Sequence, residues 1–389
     1  MVSSSFFGGL AARAFFLMSS HTHFADQPTY TANTIDAIKA LQTWYDNTTG
    51  LWDTTGWWNS ANCLTTLADF AVLNPTSSTD LDIPNTIQNT YEQAQKTAVS
   101  AVKSLSVAGL PISTYTRISK RALSKRGFEN FLNDYYDDEG WWALAMIRSH
   151  DVGVYGMGDQ QYLQAAEEIF EDMHAGNSSC GGIYWSKVGT YTNAIANELF
   201  LSVAASLANR VPGKKDYYLA IAQTQWNWFK NSGLINSDNL INDGLTDDCK
   251  NNGMTTWTYN QGVILGGLVE LYKASGDASL LNQASTIAGA AISTLSRNGV
   301  LYEGCEPNCG SDGAQFKGVF MRNLRYLQQE QPQQVFASFI LANADAIWAN
   351  DRNKANNQLG PTWNGPLAIA TAGTQSSALD TLVGAVAVS

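Results

Sequence analysis

Charge is scarce in this chain. Only 15% of its 389 residues are Asp, Glu, Lys or Arg, and the balance is acidic: 23 Lys and Arg against 34 Asp and Glu, a net charge of −11. A surplus of carboxylates repels phosphate backbones, so nucleic acid is not expected as a partner. No stretch is long and apolar enough to span a membrane. The tail Ala378 to Ser389 is too short and polar to read as an anchor signal. His21, His23, His150 and His174 stand in no HExxH or triad context, and no CxxC pair occurs. Those absences argue against a zinc site, and neither a metal nor a cofactor is expected. Strand-like alternation is scarce as well.

What is present is apolar and aromatic. Hydrophobic residues make up 44% of the chain, enough for a sizeable core, with 12 Trp and 16 Tyr. Aromatic faces stack on sugar rings, although cores also use them. The five Cys are spaced for disulfides in a secreted protein. Cys305-Glu-Pro-Asn-Cys309 can close a small loop, Cys180 and Cys249 can tie two loops, and Cys63 is then left in a helix. Five reduced, buried thiols are the alternative. Asn47-Thr-Thr and Asn177-Ser-Ser are glycosylation sequons, meaningful if the chain is secreted. Between Met1 and Ala25, Phe6, Phe7, Phe15, Phe16 and Leu17 resemble a signal-peptide core interrupted by Arg13. The expectation is a signal-like or disordered leader over 1–25, one domain over 26–389, and a secreted or cell-wall location.

Helical periodicity dominates after Thr29, in two alternating kinds of segment. Thr31–Asp46, Pro84–Ser104, Asp159–Ala175, Gly213–Asn231, Asp277–Arg297 and Gln331–Asn350 are amphipathic with a wet face. Ser60–Leu73, Gly140–Ser149, Thr192–Ala208, Tyr259–Tyr272, Phe316–Leu327 and Gly365–Val386 are apolar or small nearly all round, as buried helices are. Strict alternation of outer and inner helices predicts six helical hairpins closed into a ring, an all-α (α/α)6 barrel. An open bundle or solenoid is the alternative. Helices joined by short loops run antiparallel, so all inner helices point the same way. The outer-to-inner loops are the long ones, and long loops in compact folds tend to be functional. They bring Trp58 and Asn59, Trp185, Asn193, Asp243, Tyr259, Asn260 and Gln261, and Lys317 to one mouth. Singly, each has a bland reading as core, cap or turn.

Asp137 and Asp138 open the second inner helix, before Trp141 and Trp142. One acid would cap the helix and favour its positive end. Two acids, a following Glu and two Trp exceed what a cap needs. A mouth lined by Trp, Tyr, Asn and carboxylates suits a carbohydrate. Glycoside hydrolysis needs two carboxyl groups, one to protonate the leaving oxygen and one to attack the anomeric carbon or activate water. Asp137-Asp138-Glu139-Gly140-Trp141 lacks the third acid of a metal-binding DDxxD run, which argues against terpenoid cyclisation.

Together, Asp137-Asp138 with Trp141-Trp142, the turn Gly181-Gly182-Ile183-Tyr184-Trp185, and Tyr259-Asn260-Gln261-Gly262 resemble glycoside hydrolase family 76, the endo-α-1,6-mannanases of bacteria and fungi with related fungal wall proteins. The resemblance runs from about Asp26 to Trp363 and is closest in style to secreted fungal members. It implies an (α/α)6 barrel and a retaining mechanism in which Asp137 is the nucleophile and Asp138 the general acid/base. It further implies that Asp243 binds mannose hydroxyls, with Asp247 and Asp248 as competitors for that role. Trp58, Asn59, Trp141, Trp185, Asn193, Tyr259, Asn260, Gln261 and Lys317 are further sugar-contact candidates. The expected partner is α-1,6-linked mannan or a mannose-containing wall glycan, bound by a monomer. The basic stretch Arg117 to Arg126 departs from the family pattern and reads as an insertion, a dibasic processing site or untranslated sequence. Internal hydrolysis of mannan is the leading expectation. Transglycosylation between wall glycans and non-catalytic mannan binding are the rivals.

Overall fold

The computed structural model describes residues 24–97, 99–106, 109–117, 130–153 and 160–389. The leader-like residues 1–23 and most of the basic stretch, 118–126, lie outside them.

Six inner helices form a closed ring. They are α2 (Trp57–Leu73), α5 (Tyr136–Gly153), α7 (Ala194–Arg210), α9 (Thr258–Ser275), α12 (Phe316–Glu330) and α14 (Ala372–Val388). Each packs on the next, and α14 returns to α2. Six outer helices back them: α1 (Gln27–Gln42), α4 (Ile83–Ala94), α6 (Gln160–His174), α8 (Lys215–Asn231), α10 (Ser279–Thr294) and α13 (Gln334–Asn350). Most wedge between two inner helices, as α6 does between α5 and α7. Short α3 (Pro75–Asp80) and α11 (Gly310–Gly313) lie in connections. The expected (α/α)6 barrel is therefore the observed one.

The two classes of helix follow from composition. Every residue from Ala194 to Ala208 of α7 is buried, as is every residue from Trp57 to Ala71 of α2. Such helices are stable only inside a ring of others. Outer helix α6 buries Tyr162, Leu163, Ala165, Ala166, Ile169, Phe170 and Met173 and leaves its acids outside. Close inner contacts need glycine: a Cβ on Gly262 of α9 would stand 2.6 Å from the Cα of Phe320 on α12.

Helix boundaries differ from the sequence reading where strands and loops intervene. Thr31–Asp46 gives way to Gln27–Gln42, because β1 (Tyr45–Asp46) pairs antiparallel with β2 (Leu51–Trp52). Pro84–Ser104 is not one helix. It ends at Ala94, and β3 (Val99–Leu105) pairs antiparallel with β4 (Pro111–Arg117), Lys103 opposite Ser113 and Ala101 opposite Tyr115. Val99 and Val102 in β3, and Ile112, Thr114 and Thr116 at alternate positions of β4, are β-branched residues, which favours strands over helix. The last inner helix starts at Ala372 instead of Gly365. Gly365 has φ +72° and precedes Pro366, and Thr371 supplies a capping box. Asp277–Arg297 ends at Thr294, because Ser296–Arg297 pairs with Val300–Leu301.

Candidate active site

The outer-to-inner connections gather at one end of the ring, and α5 brings both acids there. Its start is fixed by local polar contacts. Asn133 Oδ1 accepts the Tyr135 N–H (2.8 Å), and Glu139 reaches back to accept the Asn133 N–H (2.7 Å). Glu139 also pairs with Lys187 at 2.8 Å. Burial pushes its carboxyl well above the usual range, with Lys187 opposing. Glu139 is thus occupied in holding the turn.

Asp137 and Asp138 are both buried in the first turn. Asp137 Oδ1 accepts the Asp138 N–H (2.9 Å), and Asp137 Oδ2 accepts from Trp185 Nε1 (2.9 Å). Asp138 Oδ2 accepts from Asn133 Nδ2 (2.6 Å), and its Oδ1 accepts from Tyr115 Oη (3.3 Å). Between them stands Lys103 of β3. Its Nζ lies 2.8 Å from Asp137 Oδ2 and 2.5 Å from Asp138 Oδ1. Burial acts against the charge of Lys103, but Asp137, Asp138 and Asp312 outweigh it and hold the ammonium protonated. Burial raises the carboxyl of Asp138; Lys103 opposes that rise and Asp137 adds to it.

Trp185 is placed by the Gly181-Gly182 turn. Both glycines have positive φ, and a Cβ on Gly182 would collide with Asn197 and Trp228. Asn197 clamps the turn through the Ile183 N–H (2.8 Å) and the Ile183 carbonyl (2.9 Å). Trp58 stacks on Trp141 with centroids 5.2 Å apart and donates Nε1 to Asp312 (2.8 Å). Asp243 accepts from Tyr191 Oη at 2.5 Å. Burial raises its carboxyl to about 6, Tyr191 opposing and Asp137 reinforcing, which puts Asp243 in the field of the pair. Asp247 and Asp248 are exposed.

The other candidates are differently engaged. Asn193 caps α7, accepting the Ala196 N–H (3.2 Å). Gln261 clamps the Ile241 backbone through both amide atoms, at 2.8 and 2.9 Å. Lys317 pairs with Glu306 at 2.6 Å, donates to the Pro361 carbonyl and lies over the Trp363 ring. Asn59 donates to Gln315 (2.8 Å) and to the Ser311 carbonyl. Tyr259 stacks on Phe316 with centroids 3.9 Å apart. Asn260 is buried with neither amide atom partnered among the described residues. Both expected disulfides form, Cys180–Cys249 and Cys305–Cys309, and Cys63 stays free and buried. Asn47 and Asn177 are exposed.

Sequence reasoning missed Lys103, Tyr115 and Asn133. The signal for the first two was the alternation over Val99 to Arg117 around Gly109 and Pro111. Among the described residues no cluster of His, Cys, Asp or Glu could hold a metal ion, and no helix is long and apolar enough to cross a membrane.

A family model, Glycosyl hydrolase family 76, matches residues 25–388. Among proteins, mannan endo-1,6-alpha-mannosidase DCW1 of Candida albicans is 28% identical over 217 residues, 51% of this chain and 48% of that protein. Mannan endo-1,6-alpha-mannosidase DFG5 of Saccharomyces cerevisiae is 27% identical over 206 residues, 48% of this chain and 44% of that protein. The chain spans about half the length of the curated relatives it matches. Among solved structures, an inactive variant of the GH76A alpha-1,6-mannanase of Salegentibacter sp. HEL1_6, with two consecutive Asp changed to Asn, is bound to alpha-1,6-mannotriose. It superposes with a TM-score of 0.73 at 20% identity, covering 92% of this chain and 100% of that one. Dfg5 from Chaetomium thermophilum, in complex with glucosamine, superposes with a TM-score of 0.74 at 16% identity, covering 94% and 92%.

Proposed function

The chain belongs to glycosyl hydrolase family 76, and from that membership and the geometry of its mouth we propose that it cleaves α-1,6-mannosidic bonds within mannan, with retention, through Asp137 and Asp138. One observation carries the reading. A single nitrogen touches Asp137 at 2.8 Å and Asp138 at 2.5 Å, so their facing oxygens lie within about 5 Å of each other, the spacing of retaining glycosidases. Inverting enzymes keep their carboxyls farther apart to admit a water.

The two acids sit in different surroundings, which suits different roles. Asp137 accepts N–H groups at a helix N-terminus, where a carboxylate is favoured. Its oxygen attacks the anomeric carbon and forms a glycosyl ester. Asp138, whose burial favours the protonated form, gives its proton to the departing O6 of the neighbouring mannose. Water then attacks the anomeric carbon from the opposite side, Asp138 takes its proton, and Asp137 leaves as carboxylate. Trp185 and Asp243 flank the pair and would meet the sugar's face and hydroxyls. The Asp pair replaced in the inactive Salegentibacter mannanase supports the assignment. The disulfides and the exposed sequons Asn47 and Asn177 support secretion to the cell exterior or wall.

The glucosamine complex of the Chaetomium Dfg5 favours a second reading: an acceptor sugar hydroxyl replaces water in the second half, giving transglycosylation. Incubation with α-1,6-mannotetraose, followed by proton NMR, tests both. The expected first product carries the α configuration, and Asp137→Asn and Asp138→Asn each reduce turnover to background. A β product would overturn retention. Turnover surviving in both variants would overturn the Asp pair. Longer products on adding an acceptor would select transfer, and tetraose binding without any turnover would select non-catalytic mannan binding.

A further inference from the structure

We propose that the β3–β4 hairpin is a built-in inhibitor of this site, with the Lys103 ammonium occupying the place where positive charge develops on the sugar during reaction. The inference rests on the reading of Asp137 and Asp138 given above.

With the hairpin seated, each of the four carboxylate oxygens of the acids has a partner. Asp137 Oδ1 is taken by the Asp138 N–H, and Asp137 Oδ2 by Trp185 and Lys103. Asp138 Oδ1 is taken by Lys103 and Tyr115, and Asp138 Oδ2 by Asn133. Lys103 and Tyr115 both belong to the hairpin. Glycosidic cleavage passes through an oxocarbenium-like state, cationic at the ring, with one carboxylate beneath and one carboxyl beside the leaving oxygen. An ammonium in contact with both acids presents the same charge to the same groups. Groups complementary to a transition state bind its charge mimics well. Aromatic faces complete the likeness: Lys103 Nζ lies 5.0 Å from the Tyr135 centroid and 5.6 Å from that of Trp185.

The hairpin is tied down around the mouth. Before α5, Asp134 Oδ2 accepts from Ser100 Oγ (2.9 Å) and the Ala101 N–H (2.8 Å), and Tyr135 Oη accepts the Lys103 N–H (3.0 Å). On the α11 side, Asp312 Oδ2 accepts the Ser113 N–H (2.8 Å). Before α9, Trp257 Nε1 donates to the Gly109 carbonyl (3.2 Å). Strand alternation directs Lys103, Ser113 and Tyr115 inward and leaves Val102 and Ile112 exposed at 68% and 49%. Yet the ring of inner helices closes without it, and a lone two-stranded hairpin is marginally stable by itself. Its seat is made by these polar ties together with buried Val99 and Ala101 and the packed Leu110 and Tyr115, and the Lys103 pair is buried and central. A mannosyl unit and the hairpin need the same oxygens, so they compete.

The test compares the full chain, Lys103→Met, Lys103→Arg and a chain with residues 99–117 replaced by a short Gly-Ser linker. Binding of α-1,6-mannotetraose is followed by calorimetry, and its hydrolysis by reducing-end release. Lys103→Met is expected to bind at least tenfold more tightly and to raise kcat/KM at least tenfold. The linker chain should exceed it, and Lys103→Arg should stay near the parent. Equal or weaker binding in both Lys103→Met and the linker chain would overturn the inference, and if Asp138→Asn still abolished the parent's turnover the hydrolase reading would stand. Tighter binding without cleavage would keep the inference and overturn the hydrolase reading. If the linker chain does not fold, as judged by circular dichroism, Lys103→Met decides alone.

Discussion

Asp69 ties three inner helices together, and replacing it with Asn should cost the fold about 3 kcal/mol. It lies on α2, 1% exposed. Its Oδ1 accepts from Arg148 of α5, Nε at 2.8 Å and Nη2 at 2.5 Å. Its Oδ2 meets Arg325 Nη2 and Tyr326 Oη of α12, both at 2.7 Å. Removing one partner from a buried ion pair costs roughly 3–5 kcal/mol, because the remaining charge stays buried. Asn keeps the volume and one acceptor, which places this change at the low end. A second route gives a similar size. Burial alone would raise the Asp69 carboxyl, but Arg148, Arg325 and Arg322 lower it from 3.8 to about 2. That difference corresponds to about 2 kcal/mol held at neutral pH. Its sign is that of a depressed acid: the stabilisation is full above about pH 4 and is lost as pH falls through about 2. The gap between parent and Asp69→Asn should therefore narrow by about 1 kcal/mol, roughly a third, at pH 3. A domain this size has an unfolding entropy near 0.8 kcal/mol/K, so the Tm should fall by about 4 °C at pH 7. Calorimetry with guanidinium unfolding would check it. A variant melting within 1 °C of the parent, with an unchanged denaturant slope, would refute the account of the cluster.

Other outcomes follow from the same structure. Gly262→Ala should destabilise by about 2 kcal/mol, since its Cβ meets the backbone of Phe320 and Val319. Gly289→Ala on α10 faces open space and should stabilise by about 0.5–1 kcal/mol; urea titrations of the pair giving the same sign would contradict the close-packing argument. Burial raises Glu303, Asp351 and Asp380 to about 7 and Asp243 to about 6. Raised acids favour the protonated native state, so stability should fall as pH climbs from about 4 to 7. The Tm should be on the order of 10 °C lower at pH 8 than at pH 5. A flat or rising profile would show that these carboxyls titrate normally. The Cys180–Cys249 bridge spans 69 residues, and the double Cys180→Ser, Cys249→Ser change should cost roughly 4 kcal/mol by chain entropy. Unchanged guanidinium midpoints would argue against that.

Much of the barrel was legible because helix burial is written locally. The stretch Thr192–Ala208, apolar or small nearly all round, and the one-sided pattern of Leu163, Ala166, Ile169 and Phe170 state inner and outer without any knowledge of neighbours. Alternation of the two kinds then fixed the common direction of the inner helices, and so the end at which Asp137, Asp138 and Trp185 gather. The spacing of Cys305 and Cys309 sufficed for their bridge. The tertiary structure decided what depends on partners distant in sequence. Lys103 lies 34 residues before Asp137 in a segment whose periodicity was ambiguous, and nothing local says that it reaches the acids. Gln261 and Lys317 look like sugar ligands in sequence, but the Ile241 backbone and Glu306 that engage them come from other loops; Asn193 is taken up by its own helix start. The same holds for the Arg148–Asp69–Arg325 cluster. Apolar burial can be read from spacing because it is non-directional and needs only a face. A buried polar group needs one particular partner at hydrogen-bond distance, and only the folded chain supplies it.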